Sequence, residues 1–250
     1  MHGACAFTDI SSGSTWETDL IRYYGSLAKV YDSLYLDKLS QDEDRAMAGM
    51  LAGRGPRIID LGCGTGLALR LMPGYGGFYL GIDICPRMIQ LTRRYEDQRR
   101  RFVVGDMHDL PVADRVATDV VSLFGPLSHC RNPERAIAEA WRILEPGGRV
   151  LMTAYSRYTL RRLLRLRVRR TSRYRIRNTE GFDSSIPTRF FSPRELETLF
   201  RRHFVDVRVT GLTTLAQLSP SWGITRADEW LATAWPAIAH TLIVEGRKDA

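Results

Sequence analysis

Long apolar runs are missing from this sequence. None approaches the roughly 18–20 residues that a membrane-spanning helix needs, and Met1 to Trp16 do not join a basic start to an apolar core, so neither a transmembrane segment nor a secretory leader is expected. Cysteine is scarce and scattered. Cys5, Cys63, Cys85 and Cys130 form no CxxC pair and no zinc-ligand spacing. No metal site is therefore expected, an iron–sulfur cluster is disfavoured, and reduced thiols in the cytoplasm are the plain expectation. Internal repeats and low-complexity linkers are absent as well. So is the phosphate-binding pattern GxxxxGK[ST].

Apolar residues, at 44%, are enough for a full core and against global disorder. The 250 residues fit a single domain, 1–250, with inserted segments. The net charge of +8 has one source. Ten arginines and no acidic residue lie between Arg157 and Arg177; without those ten, 26 basic residues remain against 28 acidic ones. The protein is not broadly basic but carries a basic insertion, 155–190.

From Arg57 onward, strand-like and helix-like pieces alternate. The apolar runs Arg57–Leu61, Phe78–Ile82, Arg101–Val104, Thr118–Phe124 and Arg149–Ala154 read as strands. Helical patterns at Pro86–Arg100 and Pro133–Leu144 fall between them, the latter with Ala136, Ile137, Ala140, Trp141 and Leu144 on one face. Such alternation argues for a parallel sheet covered on both sides. Ser192-Pro193-Arg194-Glu195 opens a further helix with an N-cap serine and a glutamate three residues on. His203–Thr210 and Thr241–Glu245 read as strands. A segment at 211–239 brings Trp222, Trp230 and Trp235, read as pocket wall or core.

The sharpest motif is Asp60-Leu61-Gly62-Cys63-Gly64-Thr65-Gly66, a strand running into a glycine-rich turn. Its spacing is GxGxG rather than the dinucleotide GxGxxG. Asp60 just ahead of the turn suits a ligand with a positive end better than a pyrophosphate. Asp83 ends the next strand, 21 residues after Gly62, where a carboxylate accepts from ribose hydroxyls. Gly105-Asp106-Met107 follows the third strand; an Asp there accepts from an adenine amine, and Met107 packs on the ring. All three places lie at the C-terminal ends of parallel strands, where open α/β sheets bind ligands.

In the order and spacing of these elements the sequence resembles the class I S-adenosylmethionine-dependent methyltransferases over roughly residues 20–210. The resemblance implies an α/β fold: a Rossmann-like, seven-stranded, mostly parallel sheet with helices on both faces, its last strand antiparallel, plus inserted cap segments. It implies S-adenosylmethionine as cofactor, with S-adenosylhomocysteine as product. Its methionine part would lie in the turn holding Asp60, Gly62, Cys63, Gly64 and Gly66. Its ribose would lie at Asp83 beside Ile84 and Met88, and its adenine at Asp106 and Met107. Leu144-Glu145-Pro146-Gly147-Gly148-Arg149 resembles the family's structural turn before the fifth strand. Upstream, Tyr23, Tyr24, Tyr31, Asp32 and Tyr35 cluster on an expected helix of an N-terminal lid, 15–50. A Tyr-Asp pair like Tyr31-Asp32 closes over the cofactor in many members, and a ring near a sulfonium gains cation–π attraction.

Phe124-Gly125-Pro126-Leu127-Ser128-His129-Cys130 is the loop expected to face the cofactor. His129 is the candidate general base because imidazole titrates near neutrality; its plainer role is to shape the loop. Cys130 has no activating neighbour in sequence. Leu160–Val168 reads as a basic amphipathic cap helix on the acceptor side. The expected acceptor is a small molecule, a specialised metabolite methylated at O or N, with an anionic one favoured by the arginines. Nucleic acid is disfavoured: no RNA-binding module is visible, and the Asn/Asp-Pro-Pro-Tyr sequence is missing. The alternatives kept are a nucleic-acid methyltransferase using the arginines and a non-catalytic cofactor-binding protein. Oligomeric state is left open.

Overall fold

The computed structural model describes residues 16–164, 171–177, 183–218, 221 and 223–249. An N-terminal helix α1 (Trp16–Leu27), a 3₁₀ turn (Tyr31–Tyr35) and α2 (Lys38–Leu51) lead into the sheet. Strands β1 (Arg57–Leu61), β2 (Phe78–Asp83), β3 (Arg100–Val104), β4 (Ala117–Ser122) and β5 (Leu144–Tyr155) then alternate with helices α3 (Leu67–Arg70), α4 (Pro86–Thr92), α5 (Pro126–His129) and α6 (Pro133–Ile143). Next come α7 (Leu160–Leu164), the hairpin of β6 (Thr171–Arg177) and β7 (Asp183–Arg189), α8 (Pro193–Phe200), β8 (Val205–Gly211), α9 (Arg226–Ala234) and β9 (Thr241–Arg247).

Seven strands form the main sheet in the order β3-β2-β1-β4-β5-β9-β8. β1 to β5 pair in parallel, and β9 lies antiparallel between β5 and β8. β1 is buried along Ile58 to Leu61, as a central strand covered on both faces must be. One face packs Ile137, Ala140, Leu196 and Phe200 of α6 and α8. The other packs Met47 and Leu51 of α2 with Leu69 and Ile89.

The helix starts follow their capping chemistry. Asn132 accepts from the Arg135 N–H at 3.1 Å ahead of Pro133, and Ser192 accepts from the Glu195 N–H at 3.2 Å ahead of Pro193. Each satisfies a backbone donor that an uncapped helix leaves orphaned.

Several expected boundaries move. The helix expected over Pro86–Arg100 ends at Thr92 and tightens into a 3₁₀ turn at Arg93–Tyr95. β5 begins at Leu144, because Gly147, at φ +77°, bends the strand as the N–H of Gly147 donates to the Lys248 carbonyl. The tyrosines expected on one helix are divided: Tyr23 and Tyr24 lie on α1, whereas Tyr31, Asp32 and Tyr35 occupy the 3₁₀ turn. Of the cap helix expected over 160–168, the described part is α7; residues 165–170 lie outside the described residues, and the β6–β7 hairpin follows. β7 packs on α1, where Ile186 joins Leu20, Tyr23 and Leu27 in one apolar cluster. The segment expected as an insertion thus packs on α1. Of the 211–239 tryptophans, Trp222 lies outside the described residues. Trp230 and Trp235 are 64% and 60% exposed, against each other and away from the core.

Candidate active site

The C-terminal ends of β1, β2, β3 and β4 open into one cleft of about 800 Å³. The turn after β1 is fixed by backbone geometry. Gly62 sits at φ +73°, and a Cβ there would lie 2.5 Å from Pro126, so only glycine lets the two loops meet. Its N–H donates to the Ile82 carbonyl at 2.7 Å, tying the turn to β2. Gly64 faces open space.

Asp83 holds this region together. Oδ2 accepts from the Gly64 N–H at 2.9 Å and Oδ1 from the Cys85 N–H at 2.8 Å. Burial raises its pKa against the pull of those two donors. The carboxylate lines the cleft, and each oxygen keeps a lone pair for a ligand hydroxyl.

Tyr31, Gly62, Gly64, Asp83, Ile84, Met88, Asp106, Met107, Phe124 and His129 all line the cleft. Three expected residues do not. Asp60 lies behind the turn, 2% exposed, accepting from the Tyr79 hydroxyl at 2.5 Å, and burial pushes its pKa up to about 7. A carboxylate turned into the core is not beside a ligand's cation. Cys63 is buried, its thiol pushed up by the same desolvation. Gly66 instead starts α3, in left-handed conformation.

Trp16, Glu17, Leu20 and Tyr24 of α1 complete the cleft wall. Trp16 and Glu17 were not legible as site residues; the aromatic cluster around Tyr23 and Tyr24 was the available signal. The Trp16 indole N–H donates to the His129 carbonyl at 2.5 Å. Asp32 accepts from the Thr65 hydroxyl at 2.6 Å and pairs with Arg70 at 3.2 Å, so the 3₁₀ turn is latched onto the glycine-rich turn.

A second chamber of about 1700 Å³ adjoins the first. Tyr24, Tyr31, Phe124 and His129 line both. Phe124 takes φ +57°, uncommon for a bulky side chain, and is held by its N–H to Thr153 Oγ1 at 2.6 Å. Tyr155 packs between His129 and His240, with ring centroids 5.6 and 5.8 Å away. Burial pushes the His129 imidazole down to about 4 and raises Tyr24 and Tyr31 well above the usual phenol range. His129 Nδ1 lies 3.3 Å from both the Pro187 carbonyl and Thr188 Oγ1. Glu43, on the chamber wall, accepts from Thr213, and desolvation pushes it up to about 7. From the insertion come Arg162, whose guanidinium lies 3.5 Å over the Phe190 ring, and Ile186.

Together, a glycine turn, a cleft-lining carboxylate and a third acidic loop lie at the ends of parallel strands, where a Rossmann-like sheet takes its ligand. Residues 59–152 match the family model described as a methyltransferase domain. The chain is 26% identical over 199 residues to the uncharacterized protein MJ1252 of Methanocaldococcus jannaschii, covering 75% of this chain and 76% of that protein. It is 30% identical over 146 residues to the demethylmenaquinone methyltransferase of Tropheryma whipplei, covering 55% of this chain and 59% of that one. The solved 1,6-didemethyltoxoflavin-N1-methyltransferase of Burkholderia thailandensis, with bound 1,6-didemethyltoxoflavin and S-adenosylhomocysteine, shares the fold with a TM-score of 0.62 at 18% identity, covering 98% of this chain and 95% of that one. Residues 59–152 thus carry a methyltransferase domain on a fold shared with class I S-adenosylmethionine-dependent methyltransferases, and S-adenosylmethionine is the cofactor that such a domain implies. The chain spans about half the length of several other curated relatives it matches.

Proposed function

We propose that this chain transfers the methyl group of S-adenosylmethionine to an oxygen or nitrogen of a small organic acceptor, a specialised metabolite, held in the second chamber. The observation that carries this reading is the meeting of two chambers at Tyr24, Tyr31, Phe124 and His129. The residues that line the first chamber fit the cofactor: Gly62 and Gly64 for the methionine end, Asp83 for the ribose, Asp106 and Met107 for the adenine. When bound, S-adenosylmethionine supplies a methyl group already activated by its sulfonium.

The protein's tasks are then alignment and exclusion of water. The latched 3₁₀ turn and the Trp16 contact close the lid over the first chamber. Tyr24 and Tyr31, at the junction, offer ring faces to a cation. His129, neutral at pH 7, is available to take a proton from the acceptor. A pKa near 4 makes it a weak base, so its contribution belongs at the low end of general-base effects, about 10²-fold.

The acceptor's reacting part is uncharged. The same desolvation that holds His129, Tyr24 and Tyr31 neutral penalises a charge placed among them. An anionic group, if the acceptor has one, belongs beside Arg162. The buried, unpaired thiols Cys63, Cys85 and Cys130 support a reducing compartment such as the cytoplasm.

The test is incubation with methyl-labelled cofactor against metabolite extract and RNA. Label in small molecules is expected. Label in RNA with steep salt dependence overturns the acceptor class, and cofactor binding with no label in either leaves a non-catalytic protein.

A further inference from the structure

Asp106 and Cys130 belong to different loops, after β3 and β4, yet one imidazole joins them. His108 Nδ1 lies 2.6 Å from Asp106 Oδ1, and the His108 N–H donates to the same oxygen at 2.9 Å. Across the ring, Nε2 lies 3.1 Å from the Asn132 N–H and 3.1 Å from Cys130 Sγ. A backbone N–H only donates, so Nε2 is the acceptor and Nδ1 carries the hydrogen. Burial pushes the Cys130 thiol up to about 12, so it stays S–H and donates to the same nitrogen. The Arg135 guanidinium closes the clamp by donating to the His108 carbonyl at 2.6 Å. His108 is 8% exposed.

This arrangement looks like a Cys–His–Asp triad, but a thiol held protonated by burial is not a poised nucleophile. The consequence lies at the other end. Asp106 Oδ1 is filled by two donors from His108, while Oδ2 takes no protein partner among the described residues, and Asp106 lines the cleft. The ring thus occupies Oδ1 and leaves Oδ2 without a protein donor among the described residues.

We propose that His108 is a positioning residue that makes the cleft select adenine, by holding Asp106 Oδ2 toward the exocyclic amine of the base. A base carrying a carbonyl in place of that amine would set oxygen against oxygen. The inference rests on the proposed adenine role of Asp106.

The test is calorimetry on the full chain with S-adenosylhomocysteine and with its deaminated analogue, in which hypoxanthine replaces adenine, alongside thermal unfolding. Wild type should prefer the adenine form by about tenfold or more, as a charge-assisted hydrogen bond provides. His108→Ala should reduce that preference to about threefold or less. His108→Asn places an amide donor near the Nδ1 position and should keep the preference. His108→Gln reaches only the Nε2 side and should lose it. If His108→Ala fails to fold, the Asn and Gln variants decide. A wild-type preference retained in His108→Ala, or the reverse order of the Asn and Gln variants, overturns the inference alone. A wild type that binds neither ligand overturns it together with the cofactor assignment.

Discussion

The two chambers are built differently. The first is made largely of strand ends and the short turns that follow them, among them Leu61, Gly62, Gly64, Ile82 to Ile84, Gly105 to His108 and Phe124, with α1 as one wall. Its polar groups are backbone amides and carboxylates that the sheet register places for any sequence of this pattern. The second shares Phe124 and His129 and takes Thr65 and α3 from the scaffold, and draws the rest of its walls from α1, the 3₁₀ turn, α2, β5, the insertion and the start of β9. Its character comes from aromatic rings and the His129 imidazole, whose state depends on burial. A chamber made by the scaffold suits an invariant ligand; one made by additions to the scaffold suits a ligand particular to this protein.

The largest effects should separate chemistry from binding at the shared wall. His129→Gln is expected to lower turnover by about 10²-fold while S-adenosylhomocysteine affinity stays within about twofold, measured by single-turnover kinetics and calorimetry. Turnover near wild type would leave His129 as wall only. The same variant reports on burial. The folded-state pKa of His129 is depressed to about 4, so between about pH 4 and 6.5 the unfolded chain binds more protons, and stability falls as pH falls through that window. Removing the ring removes the penalty. Relative to wild type, His129→Gln should gain stability on acidification across it, by up to about 3 kcal/mol. Denaturant titrations of both proteins at several pH values measure the difference. It must be taken as a difference, because Asp60 and Glu43, raised to about 7, act in the opposite sense in both proteins.

Asp83→Asn strikes the first chamber alone. It should weaken S-adenosylhomocysteine binding by about tenfold and leave the acceptor KM unchanged; unchanged affinity in a folded variant removes the ribose assignment. Charge reversal at Arg161 and Arg162 strikes the second. The acceptor KM should rise by about fivefold, as for a partly exposed charge, with cofactor affinity within about 0.5 kcal/mol. The reverse pattern would place the insertion on the cofactor side. The smallest effect is expected at Trp230 and Trp235. Their exposure and their absence from the lining of both chambers predict that either alanine variant changes stability by no more than about 0.5 kcal/mol and leaves both steady-state constants unchanged.

Most of the sheet was legible because its strands are short apolar runs whose ends carry glycine or acid. β1 to β3 fall within a residue of their expected limits, and Ser192 and Asn132 cap their helices through local side-chain chemistry. Asp60 shows where that reasoning fails. In sequence it adjoins the glycine turn, yet in a pleated strand it points into the core, and Tyr79 is there to meet it. The 3₁₀ turn carrying Tyr31 was hidden for a different reason: what holds it is Thr65 and Arg70, more than thirty residues away.

The sequence by itself determined the parallel sheet, the glycine turn and the positions of Asp83 and Asp106, because each follows from strand periodicity and turn chemistry within a few residues. Only the tertiary structure decided that Asp60 turns into the core against Tyr79, that His108 bridges Asp106 to Cys130, and that His129 lies on the wall shared by the two chambers. These depend on which distant segments meet, and on how far their meeting excludes water from the groups between them.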